Sequence, residues 1–271
     1  MHFHFNFSAD EIIWTLTFAA LLVLLVVLLG RDRIHNFKWF TASMVLMALR
    51  MLTSHMLVGR MSPIATSETF LVFADIAAFV GLMVVVEIAR RAFASASRKW
   101  WLIATLVILT IGGVILYEWG PWPPAKSVFA AAQLPILRLM QLVAQKVELF
   151  TDLLIVQLGL LVLLVGRRFH APWRSHTQQI LIGLSTASLA QLAVRIIWQA
   201  IATHTVVHTQ AEYQHVMGLQ EKLYNADGAL FVAVLIWWII CLWYDEPGVK
   251  TEVGDATVTE TPGASIATPE N

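Results

Sequence analysis

Five ionisable side chains interrupt otherwise apolar runs in this chain: Arg50, Asp75, Asp152, Arg195 and Asp227. At the centre of a membrane helix each such charge costs roughly 2.5–3.5 kcal/mol, and less toward the interface. Side chains of this kind therefore face protein or water and pair with one another, or they handle a polar solute or ion. Two cations and three anions can compensate each other. Gln191 joins the set because Ser188, Gln191, Arg195 and Gln199 recur at three- and four-residue steps, which puts them on one helix face. Tyr224 and Asn225 add polar groups beside Asp227. The pattern predicts a polar cavity, open to the outside, that binds a small polar or charged solute. A competing expectation is a set of structural ion pairs, such as Arg50 with Asp75 and Arg195 with Asp152 or Asp227. A proton or ion path is a third.

Other chemistries find little purchase. A retinal-type Schiff base needs a lysine deep in a span, and the last span has only Lys222 at its rim. His204 and His208 have the four-residue spacing of two metal ligands on a helix, with Glu212 and His215 following. The intervening Thr205, Val206 and Val207 are β-branched, so His204 to Gln220 reads as a polar connection rather than a helix. A membrane haem needs two histidines at matched depth, and His55 alone lies well inside a span. Ser185 lacks a Gly-x-Ser-x-Gly elbow, and no His-Glu-x-x-His or phosphate-gripping loop occurs. Cys241, the single cysteine, excludes an intramolecular disulfide and multi-cysteine metal sites. The expectation is a non-enzymatic protein without cofactor or metal.

These residues must be positioned by the apolar runs around them. Hydrophobic residues form 58% of the 271 and charged residues 13%, about half the share usual in soluble domains. Runs of about 20 apolar residues suit bilayer-crossing helices, whose backbone groups are satisfied internally. Spans are expected at roughly 11–30, 38–59, 69–91, 100–118, 147–167, 177–202 and 222–244. The basic residues cluster on one side: Arg31, Arg33 and Lys38; Arg90, Arg91, Arg98 and Lys99; Arg167, Arg168 and Arg174; Lys250. That bias places the N-terminus outside and the C-terminus inside. Trp39, Trp100, Trp101 and Trp243 suit the inner interface, and Trp119 and Trp122 the outer one.

The predicted fold class is thus an all-α integral membrane protein, a seven-transmembrane-helix bundle over residues 1–246 with a short disordered C-terminal tail at 247–271. The first run reads as a retained span, because the leader before it has no Lys or Arg, unlike a secretory signal. Between Gly120 and Lys146, a Pro-rich lead is followed by an amphipathic stretch that either lies in the outer interface or extends the fifth helix. The first and fourth spans hold no interior charge and look like scaffold. Glu87 stands three and four residues before Arg90 and Arg91, spacing suited to an intrahelical ion pair.

Net charge is zero and no basic face stands out, so nucleic acid is not an expected partner. In helix number and orientation the pattern resembles a seven-helix receptor bundle. The ends of its third and seventh spans, Glu87–Arg91 and Trp243–Pro247, depart from the signatures of the large eukaryotic receptor class. The functional expectation is a receptor-like sensor in the cell membrane, its compact loops fitting a bacterial inner membrane. Its partners would be the lipid bilayer, a small polar ligand and a cytoplasmic signalling protein at the basic inner loops. The alternatives are a small secondary transporter or channel using the same charges, or a structural assembly factor.

Overall fold

The structure is a computed structural model that describes residues 8–57, 60, 62–94, 98–119, 135–165, 175–205 and 209–245. They form seven helices: α1 (Ala9–Gly30), α2 (Lys38–Leu57), α3 (Pro63–Ala92), α4 (Arg98–Glu118), α5 (Pro135–Val165), α6 (His176–His204) and α7 (Gln210–Trp243). Six are long and apolar enough to cross a bilayer, and α4 contributes a shorter apolar helix over Leu102–Glu118. The architecture is that of a helical membrane bundle. The leader, the basic residues Arg167, Arg168 and Arg174, His208 and the tail at 247–271 lie outside the described residues.

Local chemistry sets the helix starts. Ser8 with Glu11, and Thr209 with Glu212, form reciprocal capping boxes at α1 and α7, while Ser62 and Ser175 cap α3 and α6. The α7 box corrects the expected boundary. The helix begins at Gln210 rather than 222, so Glu212 and His215 lie on it and the polar connection shrinks to a few residues. Residues 210–215 are exposed, so this polar start adds about 18 Å of helix at 1.5 Å per residue up to Glu221. The amphipathic stretch after Gly120 resolves in the same way, since Leu137 to Lys146 simply extend α5 upward.

The end of the bundle that carries Ala9 is here the top, and the end that carries Gly30 the bottom. In cross-section α1, α2, α3, α5, α6 and α7 form a closed ring, with α7 returning to pack on α1 and α3 also reaching α6. Helix α4 lies outside this ring against α5. Lipid tails are as apolar as leucine, so packing rather than water exclusion holds such helices together, and small residues let them approach closely. Gly183 receives the edge of the fully buried Trp238, and Gly159 admits Ser185. Trp238 meets Phe40 edge-on at 5.0 Å, and its indole N–H donates to the Gln179 carbonyl at 3.3 Å. Leu21, Leu24, Leu28, Ile180, Leu235 and Leu242 complete the core. Val26, Leu29, Leu106 and Leu164 are exposed and point outward, as a lipid-facing belt requires.

A polar clasp closes the bottom. A guanidinium can only donate, so Arg33 Nη1 donates to His176 Nδ1 at 2.9 Å, and the His176 Nε2–H donates to the Tyr244 carbonyl at 3.0 Å. Arg33 Nη2 donates to the same carbonyl at 2.9 Å and lies 3.3 Å from Asp245 Oδ1. The α1–α2 turn, the start of α6 and the end of α7 are thereby joined. Glu87 corrects another expectation. Its Oε2 accepts the Trp39 and Phe40 N–H groups, both at 3.1 Å, and so caps the start of α2 from α3. Phe37 precedes that helix and has no side-chain acceptor to offer, while Arg91 turns to the Phe37 ring at 4.8 Å.

Candidate functional site

Above Trp238 the ring encloses a partly open cavity of about 190 Å³ between α2, α3, α5, α6 and α7. Its apolar lining includes Met44, Met47, Val84, Ile155, Phe231 and Trp238. Its polar groups are Ser43, Arg50, Asp152, Ser188 and Gln191. These are the five helices that carry the interior charges. Three of the six candidate residues, Arg50, Asp152 and Gln191, reach the wall directly.

Helix rise places Arg50, Arg195 and Asp227 in one layer. Counting from the Trp238 contacts at 1.5 Å per residue, Arg50 stands about 15 Å above Phe40, Arg195 about 18 Å above Gly183 and Asp227 about 16 Å above Trp238. Asp152 lies lower, where Ser188 Oγ donates to its Oδ1 at 3.0 Å. Asp152 is buried, and its Oδ2 accepts no hydrogen bond. Arg195 Nη2 approaches Oδ2 at 3.7 Å, beyond hydrogen-bonding distance. The same nitrogen pairs closely with Glu148, at 3.0 Å from Oε2. Asp227 acts electrostatically on both Arg195 and Asp152.

One expected pair therefore forms, and it brings a residue that sequence reasoning missed. Glu148 is one turn before Asp152 on α5, so both present carboxylates to Arg195. Its side chain is 54% exposed and that of Arg195 is 32% exposed, so this contact contributes at most about 1 kcal/mol. The other expected pair does not form, for Arg50 and Asp75 make no ion pair within 4.0 Å. Arg50 instead faces the cavity without any ion pair among the described residues. Asp75 is half-buried, its Oδ1 is enclosed without a hydrogen-bond partner, and it is not part of the cavity wall. His55 stacks on Trp14 at 4.7 Å.

Among the described residues no three His, Cys, Asp or Glu side chains gather so as to hold a metal ion. The top of α4 is tied in separately: Lys146 Nζ donates to the Trp119 carbonyl at 2.9 Å, and the Trp119 indole donates to Gln199 at 3.0 Å. Gln199 thus leaves the polar stripe of α6 for a structural contact, whereas Ser188 and Gln191 stay on the cavity. No family model, curated protein or solved structure matches this chain.

Proposed function

We propose that this is a non-enzymatic, seven-span membrane protein, N-terminus outside and C-terminus inside, that binds a small polar solute in the five-helix cavity and acts as a sensor. One observation carries the reading. Arg50, an exposed side chain in the cavity wall, has no ion pair among the described residues, although Asp152 and Gln191 line the same hollow. Charges kept only to lock helices together would be expected to satisfy each other, because an unpaired charge in the membrane is costly. Arg195, held by Glu148 and Asp152, supplies the strut that keeps α5 and α6 at a fixed spacing around the hollow.

Trp238 supports binding over passage. It is fully buried at the floor of the cavity and packed between Phe40 and Gly183, so it fills the centre of the bundle at that level. A solute that presses on this floor acts on α7 two turns above the clasp at Tyr244. Any ligand that prefers one helix packing over another shifts the equilibrium by its differential affinity. A separate protein at the basic inner loops would read the change.

The test is thermal unfolding of the purified protein in detergent with a panel of small polar solutes. Saturable stabilisation that Arg50→Gln removes, without lowering the unliganded Tm, supports the reading. Solute accumulation in proteoliposomes would assign the protein to transport instead.

A further inference from the structure

We infer that the outward-facing furrow between α5 and α6 is a binding site for a single-chain lipid with a carboxylic acid head, a long-chain fatty acid. The furrow holds about 220 Å³ and shares none of its described lining residues with the cavity. Leu160, Leu163, Ile182 and Leu189 form its exposed walls. Gly159, which admits Ser185, lets the two helices close behind it. The furrow climbs from Gln178, two residues above His176 of the clasp, to Leu189, about 16 Å higher at 1.5 Å per residue. That is about half of a hydrocarbon core roughly 30 Å thick, the depth of one leaflet.

The lower end supplies the recognition. Gln178 borders the furrow and is only 4% exposed, yet neither its amide nitrogen nor its amide oxygen has a hydrogen-bond partner. Both atoms are enclosed, and a turn about the side-chain torsions brings them to the furrow. The hydroxyls higher up make no such demand, because Ser185 donates to the Ile155 carbonyl at 3.3 Å and Thr186 to the Ile182 carbonyl at 2.8 Å. One polar end below an apolar run one leaflet deep fits an amphiphile. An amide presents a donor and an acceptor side by side. A carboxylic acid answers both, its O–H donating to Oε1 and its carbonyl accepting from Nε2. An ester only accepts, so it leaves Oε1 desolvated and unpaired. About 220 Å³ spread along this length admits one extended chain and not the helix of a second copy, which is about 10 Å across.

The test is photolabelling of the full-length protein in detergent at pH 5.5 with palmitic acid carrying a mid-chain diazirine, read by mass spectrometry of the labelled peptides. Label is expected within 156–163 and 181–189. Palmitic acid at ten times its Kd should lower it about tenfold, as simple occupancy requires. Methyl palmitate has the same chain and no donor, and should need about ten times the concentration for the same loss. Gln178→Leu should remove that difference. Thr186→Phe, which fills the furrow from its exposed wall, should remove the label there. Equal competition by acid and ester in the parent protein overturns the head assignment, and label spread evenly over the exposed apolar surface overturns the site. Gln178→Met replaces Gln178→Leu should that variant fail to reach the membrane.

Discussion

Adding one methyl group to Gly183 tests the packing that forms the cavity floor. A β-carbon there would sit 2.6 Å from Trp238 Cε2 and 2.9 Å from Cζ2, so the indole must move. Trp238 is fully buried, with Phe40 on one side and its N–H committed to the Gln179 carbonyl. Overpacking of this kind costs about 1–3 kcal/mol. Loss of the indole hydrogen bond adds about 1 kcal/mol, and a disturbed aromatic pair about 0.5–1.5 kcal/mol. Because the ring can yield partly toward the cavity, the expected total for Gly183→Ala is about 2–3 kcal/mol. Trp238→Phe alone removes the hydrogen bond and leaves a gap, at a cost of about 1–2 kcal/mol. In the double variant the new methyl occupies space that the indole has left. The double variant should therefore be more stable than the sum of the singles by at least about 1 kcal/mol. SDS titration from mixed micelles, followed by tryptophan fluorescence and circular dichroism, measures all three. A Gly183→Ala protein as stable as the parent, or energies additive to within about 0.5 kcal/mol, would refute the contact.

Three further outcomes are expected. Glu87→Gln should destabilise by about 1 kcal/mol in the same titration, because a neutral amide oxygen still accepts from Trp39 and Phe40 but without the charge that favours a helix N-terminus. Arg195→Ala should cost about 2 kcal/mol by leaving the buried Asp152 without its cation, adding Asp152→Asn should recover much of that loss, and Glu148→Gln alone should cost under about 1 kcal/mol. Asp32→Gly should stabilise by about 1 kcal/mol in thermal unfolding. Asp32 holds φ 51° where α1 ends, a backbone region that glycine adopts without penalty, and the Asp32–His35 contact given up is exposed on both sides.

Helix placement was legible wherever an apolar run ended in charge or a turn residue. The ends of α1, α2, α3 and α6 fall within a few residues of the expected spans, apart from the polar first turns of α3. Hydropathy marks what lipid touches, so it missed the polar start of α7, although the Thr209-x-x-Glu212 capping box stood in the sequence as a start signal. The polar face of α6 was readable as a three- and four-residue stripe, and two of its members line the cavity. Partner choice was not readable. Glu148 stands one turn before Asp152, but at the start of the expected fifth span nothing in the sequence marks it as turned toward Arg195. Arg50 and Asp75 sit at similar height on adjacent helices, yet height fixes only one coordinate. Rotation of each helix about its axis decides whether side chains meet. Glu87 makes the same point, since its spacing to Arg90 and Arg91 favours a local pair, while the uncapped start of α2 lies closer and takes the carboxylate.

Ring closure between α1 and α7 also governs the order in which the chain can assemble. More than two hundred residues separate Gly30 from Trp243, so a ribosome working at 5–20 residues per second leaves α1 without α7 for on the order of 10–40 s. During that interval the side of α1 that α7 later covers can be solvated by acyl chains, which suit leucine as well as a protein core does. The waiting helix is therefore no hazard in a bilayer, and the Arg33–His176–Tyr244 bonds can form only after the last segment has been synthesised.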